Sequence, residues 1–325
     1  MKLITSSSPH IRSGETTRRL MGTVLLALLP TLAAGVWFFG LRALLLTLVS
    51  VASCVASEWA FRAVTKSPGS IADGSAAVTG VLLAMTLPAT APYWLAALGG
   101  VFAVVAVKGL CGGLGQNIFN PALAARAFLL MLWPSWLVRF AAPGAELPLL
   151  GSAAEAATSA TPLHHMQMPA LPETPLLDLF LGNVAGCIGE ASALALLLGG
   201  VYLVARKVIS PRIPVAYLGS VALLTLAFSK GENPLQWMLY SLFGGGVMLG
   251  AIFMATDYVT SPLTKLGQIV YGIGCGVITI LIRYFGGYSE GVTYAILCMN
   301  ACSVLLDKIG RPVKFGASKK EAAKK

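Results

Sequence analysis

Histidine and acidic residues are scarce in this chain, with 3 His and 13 Asp plus Glu among 325 residues, against 23 Lys plus Arg. The six cysteines, Cys54, Cys111, Cys187, Cys275, Cys298 and Cys302, form no C-x-x-C pair, so the sequence specifies neither a zinc site nor an iron–sulfur cluster. Cys298 and Cys302 would share one helix face and offer half of a site shared with another subunit, but small buried apolar side chains are the favoured role. Gly109, Gly112, Gly113 and Gly115 follow no strand, so they fail the context that a nucleotide-binding turn requires. Only 11% of residues are charged, which excludes an ordinary soluble domain.

What is present is apolar: 56% of residues are hydrophobic and the mean hydropathy is +0.78. A hydrophobic stretch needs about 20 residues to cross a bilayer. Ten segments come close, at 20–39, 43–64, 75–91, 93–107, 119–138, 176–205, 213–229, 237–256, 267–285 and 291–306. The expectation is an all-α, polytopic membrane protein. Mostly polar residues precede the first run, which is long enough to span, so it is expected to be a retained helix rather than a signal peptide.

The net charge of +10 does not point to nucleic acid, because the basic residues sit at segment ends and tails. With the N-terminus inside, eighteen fall on the inner side: Lys2, Arg12, Arg18, Arg19, Arg62, Lys66, Lys108, Arg206, Lys207, Arg212, Lys265 and seven from Lys308 to Lys325. Four, namely Arg42, Arg139, Lys230 and Arg283, fall outside. This asymmetry predicts both termini in the cytoplasm.

Residues 80–92 can be laid without a gap over 250–262, and the match aligns Gly80, Thr86, Thr90 and Pro92 with Gly250, Thr256, Thr260 and Pro262. Ten crossings divide into two sets of five, and an odd number per set predicts inverted repeats that meet at a functional centre. The division is 1–138 (cytoplasmic tail and first repeat), 139–175 (outer loop) and 176–325 (second repeat and basic tail). The threonine pairs, Pro88 and the run Gly244 to Gly246 are candidate repeat-interface and helix-break positions. Gly and Pro taken singly are simply common in membrane helices.

Charges inside a membrane cost about 2.5–3.5 kcal/mol each on insertion scales and are usually paired or functional. Arg126, Glu190 and Asp257 are the candidates, either as an ion path or as structural pairs. Arg126 could pair with Glu190 or snorkel. Glu58, Asp73 and Asp178 are expected to be solvated at segment ends. His164 and His165 lack a third ligand and read as solvated loop residues. The outer loop carries Glu155-Ala-Ala-Thr158-Ser159-Ala160-Thr161-Pro162-Leu163, which on chemistry alone is a hydroxyl-rich surface turn.

That S-A-T-P-L stretch resembles the attachment site of the RnfD and NqrB family of membrane subunits, in which a flavin transferase esterifies a threonine with the phosphate of FMN. Further resemblance lies in Asp73-Gly-Ser-Ala-Ala-Val-Thr-Gly80, in Gly115 to Phe128 (GQNIFNPALAARAF) and in Ala255 to Pro262 (ATDYVTSP). It runs from about residue 16 to Pro312 and is closest to the RnfD branch. Against the usual D-G-x-S-G-A-T pattern, Glu155 replaces Asp, Ala156 and Ser159 replace Gly, and Thr158 replaces Ser; the acceptor Thr161 is present.

The resemblance implies a flavoprotein subunit of an Rnf complex in a bacterial or archaeal cytoplasmic membrane. It would couple ferredoxin:NAD⁺ electron transfer to Na⁺ or H⁺ translocation, with FMN on Thr161 and a second, non-covalent riboflavin. Thr158, Ser159 and Arg139 would surround the attachment, and a flavin transferase would install it. Ferredoxin and NAD⁺ would meet other subunits. The alternatives are a flavin-free inverted-repeat transporter or channel, and a structural scaffold.

Overall fold

The computed structural model describes residues 15–66, 73–113, 115–149, 151, 158–159, 161, 163, 172, 174–231, 233–286 and 291–310. His164 and His165 lie outside the described residues. Helix α1 (Thr17–Phe39) starts where the Thr16 side chain accepts from Arg19 N–H. It passes without a loop into α2 (Leu41–Thr65), because Gly40 takes a φ of 73° that allows an abrupt reversal. Helix α3 (Ser75–Met85) begins beside Asp73, whose carboxylate accepts from Ser75 N–H at 2.8 Å. Helix α4 (Tyr93–Gly109) is π-helical over Phe102–Gly109. Asn120 caps α5 (Pro121–Leu132) by accepting from the N–H groups of Ala122 and Leu123, and α6 (Pro134–Leu137) follows.

The second half contains α7 (Leu176–Leu181), a 3₁₀ turn at Ile188–Glu190, and α8 (Ala193–Ala205) capped by Ser192. Then come α9 (Arg212–Ala227), α10 (Pro234–Phe243), α11 (Val247–Met254), α12 (Lys265–Phe285) capped by Thr264, and α13 (Val292–Leu306). The strands are β1 (Phe140–Ala141) and β2 (Thr158–Ser159), paired antiparallel with Phe140 opposite Ser159.

The architecture is therefore all-α apart from one two-residue ladder among the described residues. Three helices, α1, α2 and α12, are long and apolar enough to cross a membrane, and α10 with α11 makes a fourth candidate bent by 62°. Trp37, Phe285 and Leu263 are each at least 80% exposed, as lipid-facing side chains would be.

Several expected spans are shorter or broken. Helix 75–91 stops at Met85, ahead of Pro88. Segment 119–138 breaks at Trp133, because Pro134 supplies no N–H to continue α5. Segment 176–205 divides into α7, the 3₁₀ turn and α8, with Gly182 at φ 114° ending α7. Segment 237–256 breaks at Gly244 to Gly246, where Gly245 has φ 68°.

Glycines let the helices approach. A Cβ on Gly80 of α3 would lie 2.6 Å from Val51 Cα of α2, and one on Gly272 of α12 would lie 2.9 Å from the Ile213 carbonyl of α9. A Cβ on Gly199 of α8 would lie 2.3 Å from the Ala27 carbonyl of α1. The largest apolar cluster joins residues from both halves, including Leu83, Met85, Leu123, Val247, Ile252 and Ile296.

One expectation about charge is corrected. Glu58 is not solvated but buried, because Arg62 and Lys108 converge on its Oε1. Arg42 and Arg283 are buried as well. Arg42 spends its guanidinium on the carbonyls of Ala89, Ala91 and Pro148, and Arg283 on those of Ser241 and Gly244.

Candidate functional site

Two clefts hold four of the candidate residues, Thr161 and Glu190 in the first and Thr256 and Asp257 in the second; the first is lined by the loop between the halves and by the second half, the second by both halves. The first lies at the α10–α11 break. Without a helical ladder across Gly244–Gly246, the backbone there is free to meet other groups, and Thr161 and Leu163 of the loop between the halves line the cleft with Glu190, Phe243 and Gly245. Thr161 is half-buried. The cleft encloses about 330 Å³ including its mouth.

Charge is dense around it. Arg283 places Nη2 3.1 Å from where a Gly245 Cβ would stand, while donating to the Gly244 carbonyl at 3.1 Å. Glu190 directs Oε1 toward Gly246, at the start of α11, and its Oε2 accepts from Cys187 N–H at 3.4 Å. A carboxylate at a helix N-terminus is favoured by the unpaired N–H groups there. On the far side of Cys187, Arg126 donates to the Thr86 carbonyl and approaches the Cys187 sulfur at 3.6 Å. The structure thus brings Arg126 and Glu190 together at Cys187.

Arg139 reaches the neighbourhood by another route. It directly precedes β1, whose Phe140 pairs with Ser159 of β2, and the Arg139 guanidinium lies 5.6 Å from the Trp136 ring centre. Thr158 and Ser159 enter the structure as the two residues of β2.

The second cleft lies between α3, the N-terminus of α5 and the segment after α11. Its polar lining includes Ser75, Lys108, Asn117, Asn120, Thr256 and Asp257, against apolar walls such as Phe253 and Ile209, and it encloses about 760 Å³ including its mouth. Lys108 Nζ donates to Glu58 at 2.9 Å and to Ser75 Oγ at 2.6 Å. Asn120 donates to the Met254 carbonyl at 3.2 Å, tying α5 to the end of α11.

The aligned threonines separate. The Thr86 carbonyl receives Arg126 and the Thr90 hydroxyl donates to the Arg139 carbonyl, both on the side of the first cleft. Thr256 lines the second cleft, and the Thr260 hydroxyl donates to Asp257 at 3.3 Å. Asp257 is therefore with Lys108 and Asn120 rather than with Arg126 and Glu190. Sequence reasoning missed Asn117, Asn120, Cys187 and the role of Lys108. The Asn-x-x-Asn-Pro cap of α5 was the available signal for the asparagines; nothing local marks Lys108 or Cys187.

A model of the NQR2, RnfD, RnfE family matches residues 4–316. The chain is 48% identical to the D subunit of the Na⁺-translocating ferredoxin:NAD⁺ oxidoreductase complex of Acetobacterium woodii, over 98% of this chain and 97% of that one. It is 41% identical to the D subunit of the proton-translocating ferredoxin:NAD⁺ oxidoreductase complex of Clostridium ljungdahlii, over 96% and 95%. It is 40% identical to the D subunit of the ion-translocating oxidoreductase complex of Stutzerimonas stutzeri, over 92% of each chain.

Proposed function

The chain belongs to the NQR2, RnfD, RnfE family, and from that premise we propose that it is the D-type membrane component of an ion-translocating ferredoxin:NAD⁺ oxidoreductase complex, relaying electrons through FMN esterified to Thr161. The observation that carries the flavin is the convergence of Thr161, Arg283 and the N-terminus of α11 on one cleft. A phosphodiester on Thr161 is a monoanion. The Arg283 guanidinium beside Gly245 complements it, and so do N–H groups at a helix start.

Only about 10 Å³ of that space is enclosed, about one water's worth, so the cleft presents Thr161 and its charged neighbours to a phosphoryl group that lies outside it, with the ring beyond. When bound, flavin supplies one- and two-electron chemistry that can join an iron–sulfur partner to a two-electron carrier. The chain's own residues fix its position: Thr161 by the ester, Arg283 and Arg139 by charge, and the β1–β2 ladder by holding the loop.

The second cleft is our candidate for non-covalent riboflavin. Amide and charged groups from Lys108, Asn117, Asn120 and Asp257 face apolar walls, and the enclosed space of about 80 Å³ suits the polar edge of an isoalloxazine rather than the whole ring. The separation of Thr86 and Thr90 from Thr256 and Thr260 supports two inverted five-helix repeats, because equivalent positions then fall on opposite sides of the membrane. With both termini cytoplasmic, the Thr161 cleft faces outward and the Lys108 cleft inward. Na⁺ and protons appear in the names of similarly close relatives, so ion choice varies within the family. Ferredoxin and NAD⁺ are assigned to partner subunits, and a flavin transferase to maturation.

The test is fluorescence of the denatured protein in a gel, with mass spectrometry of the peptide containing Thr161. Coexpression with the flavin transferase should add an FMN-sized mass to that residue. A bare threonine there would leave a flavin-free transporter or scaffold.

A further inference from the structure

Helices α8 and α9 leave an apolar groove on the outside of the bundle, lined by Leu197, Gly200, Val201, Val204, Pro214 and Val215 among others. It encloses about 830 Å³ including its open side and exposes no polar surface. Gly200 makes it deep, because a Cβ there would lie 2.9 Å from the Ile252 side chain that forms the floor. Val201 and Val215 on its rim are 67% and 68% exposed.

One end of the groove is closed by the turn from Ala205 to Pro211, and that turn is basic. Arg206, Lys207 and Arg212 are all exposed there. Lys207 takes a φ of 56°, and its N–H donates to the Val204 carbonyl at 2.9 Å as the chain turns out of α8. Arg212 is held beside the turn by Ser210 Oγ at 3.2 Å and Gln268 Oε1 at 3.3 Å. Among the described residues, no carboxylate lies within ion-pair distance of these three cations.

We propose that this groove and its basic end form a binding site for one anionic phospholipid, with an acyl chain along α8 and the headgroup phosphate at Arg206, Lys207 and Arg212. The dimensions agree. Leu197 to Ala205 covers about 12 Å at 1.5 Å per residue, most of the roughly 15 Å depth of one hydrocarbon leaflet. The chemistry agrees as well, because a dry wall with cations at headgroup level selects a lipid that is both apolar and anionic. A partner helix would find the dry wall suitable but would leave the three cations without a counter-charge.

The site backs onto the second cleft. Ile209 lines both spaces, and the neighbours Ile252 and Phe253 face the groove and the cleft respectively. The acyl chain therefore supports the wall of the space proposed for riboflavin, although lipid binding does not depend on that assignment.

The test uses the full chain, with the subunits that copurify, in nanodiscs. Phosphatidylglycerol with a diazirine on its acyl chain is crosslinked, and the labelled peptides are mapped, with the same probe on phosphatidylcholine alongside. Phosphatidylglycerol should label peptides from 197–218 at least tenfold more than phosphatidylcholine. Each basic side chain near an anionic lipid contributes roughly fivefold, so R206Q/K207Q/R212Q should abolish that preference while thermal melting and subunit recovery stay unchanged. Val201→Phe, which fills the groove from an exposed position, should reduce labelling with the cations intact. Equal labelling by both lipids would make this ordinary annular contact, and recovery of a partner's peptide crosslinked to the groove in place of lipid would assign it to a helix. Either result overturns the proposal.

Discussion

The buried ion cluster beside the second cleft can be tested in isolation. Glu58 and Lys108 are 3% and 4% exposed, and 2.9 Å separates Lys108 Nζ from Glu58 Oε1, which Arg62 also reaches. The two members are not equivalent. Glu58→Gln strands the Lys108 ammonium with Ser75 and a neutral amide, and an uncompensated buried charge costs about 3–5 kcal/mol. Lys108→Met loses the ammonium's hydrogen bonds to Glu58 and Ser75 but leaves Glu58 with Arg62 and strands no buried charge, so it should cost less than Glu58→Gln. The double variant carries no stranded ammonium and should be more stable than Glu58→Gln alone. Unfolding midpoints in mixed micelles titrated with SDS, for the four proteins, give the ranking. A double variant as unstable as Glu58→Gln, or a Lys108→Met variant less stable than Glu58→Gln, would refute charge compensation as what holds α2 to the end of α4.

Thr161→Ala should eliminate covalent flavin, and with it electron transfer, while subunit recovery persists; loss of assembly would instead make the loop structural. Gly272→Ala should destabilise by about 1–3 kcal/mol, because its Cβ meets α9 backbone within 3 Å, whereas Gly219→Ala, with nothing within 4 Å, should be neutral or stabilise by up to about 1 kcal/mol. Thermal melting in detergent distinguishes them, and equal effects would sink the close-approach account. Arg42→Lys should loosen the loop between the halves, since an ammonium cannot reproduce the fork that binds Ala89, Ala91 and Pro148. Faster proteolysis between residues 143 and 175 is the expected sign, and unchanged cleavage counts against the latch.

Much of this protein is written locally. Apolar run length and the shortage of charge declare a membrane protein, because crossing a bilayer is a requirement that each segment meets through its own composition. Helix starts at Thr16, Asn120, Ser192 and Thr264 follow from side chains that bond the next few N–H groups. The breaks at Gly244 to Gly246 and ahead of Pro134 follow from backbone chemistry confined to those residues. The family resemblance is local as well, since it rests on short contiguous motifs.

Burial of charge is another matter. Glu58 and Lys108 are 50 residues apart, and Arg42 reaches carbonyls up to 109 residues away. No window of sequence contains both partners, so end-of-segment charges read as solvated until packing brings their counter-groups to them. Likewise, Thr161 comes to share a cleft with Glu190 and Gly245, and Asp257 one with Asn120 rather than Arg126, only through tertiary packing. Sequence by itself determined what each segment could be, because that depends on neighbours along the chain. Tertiary structure alone decided which charges meet, because electrostatic and hydrogen-bond partners are chosen by distance in space.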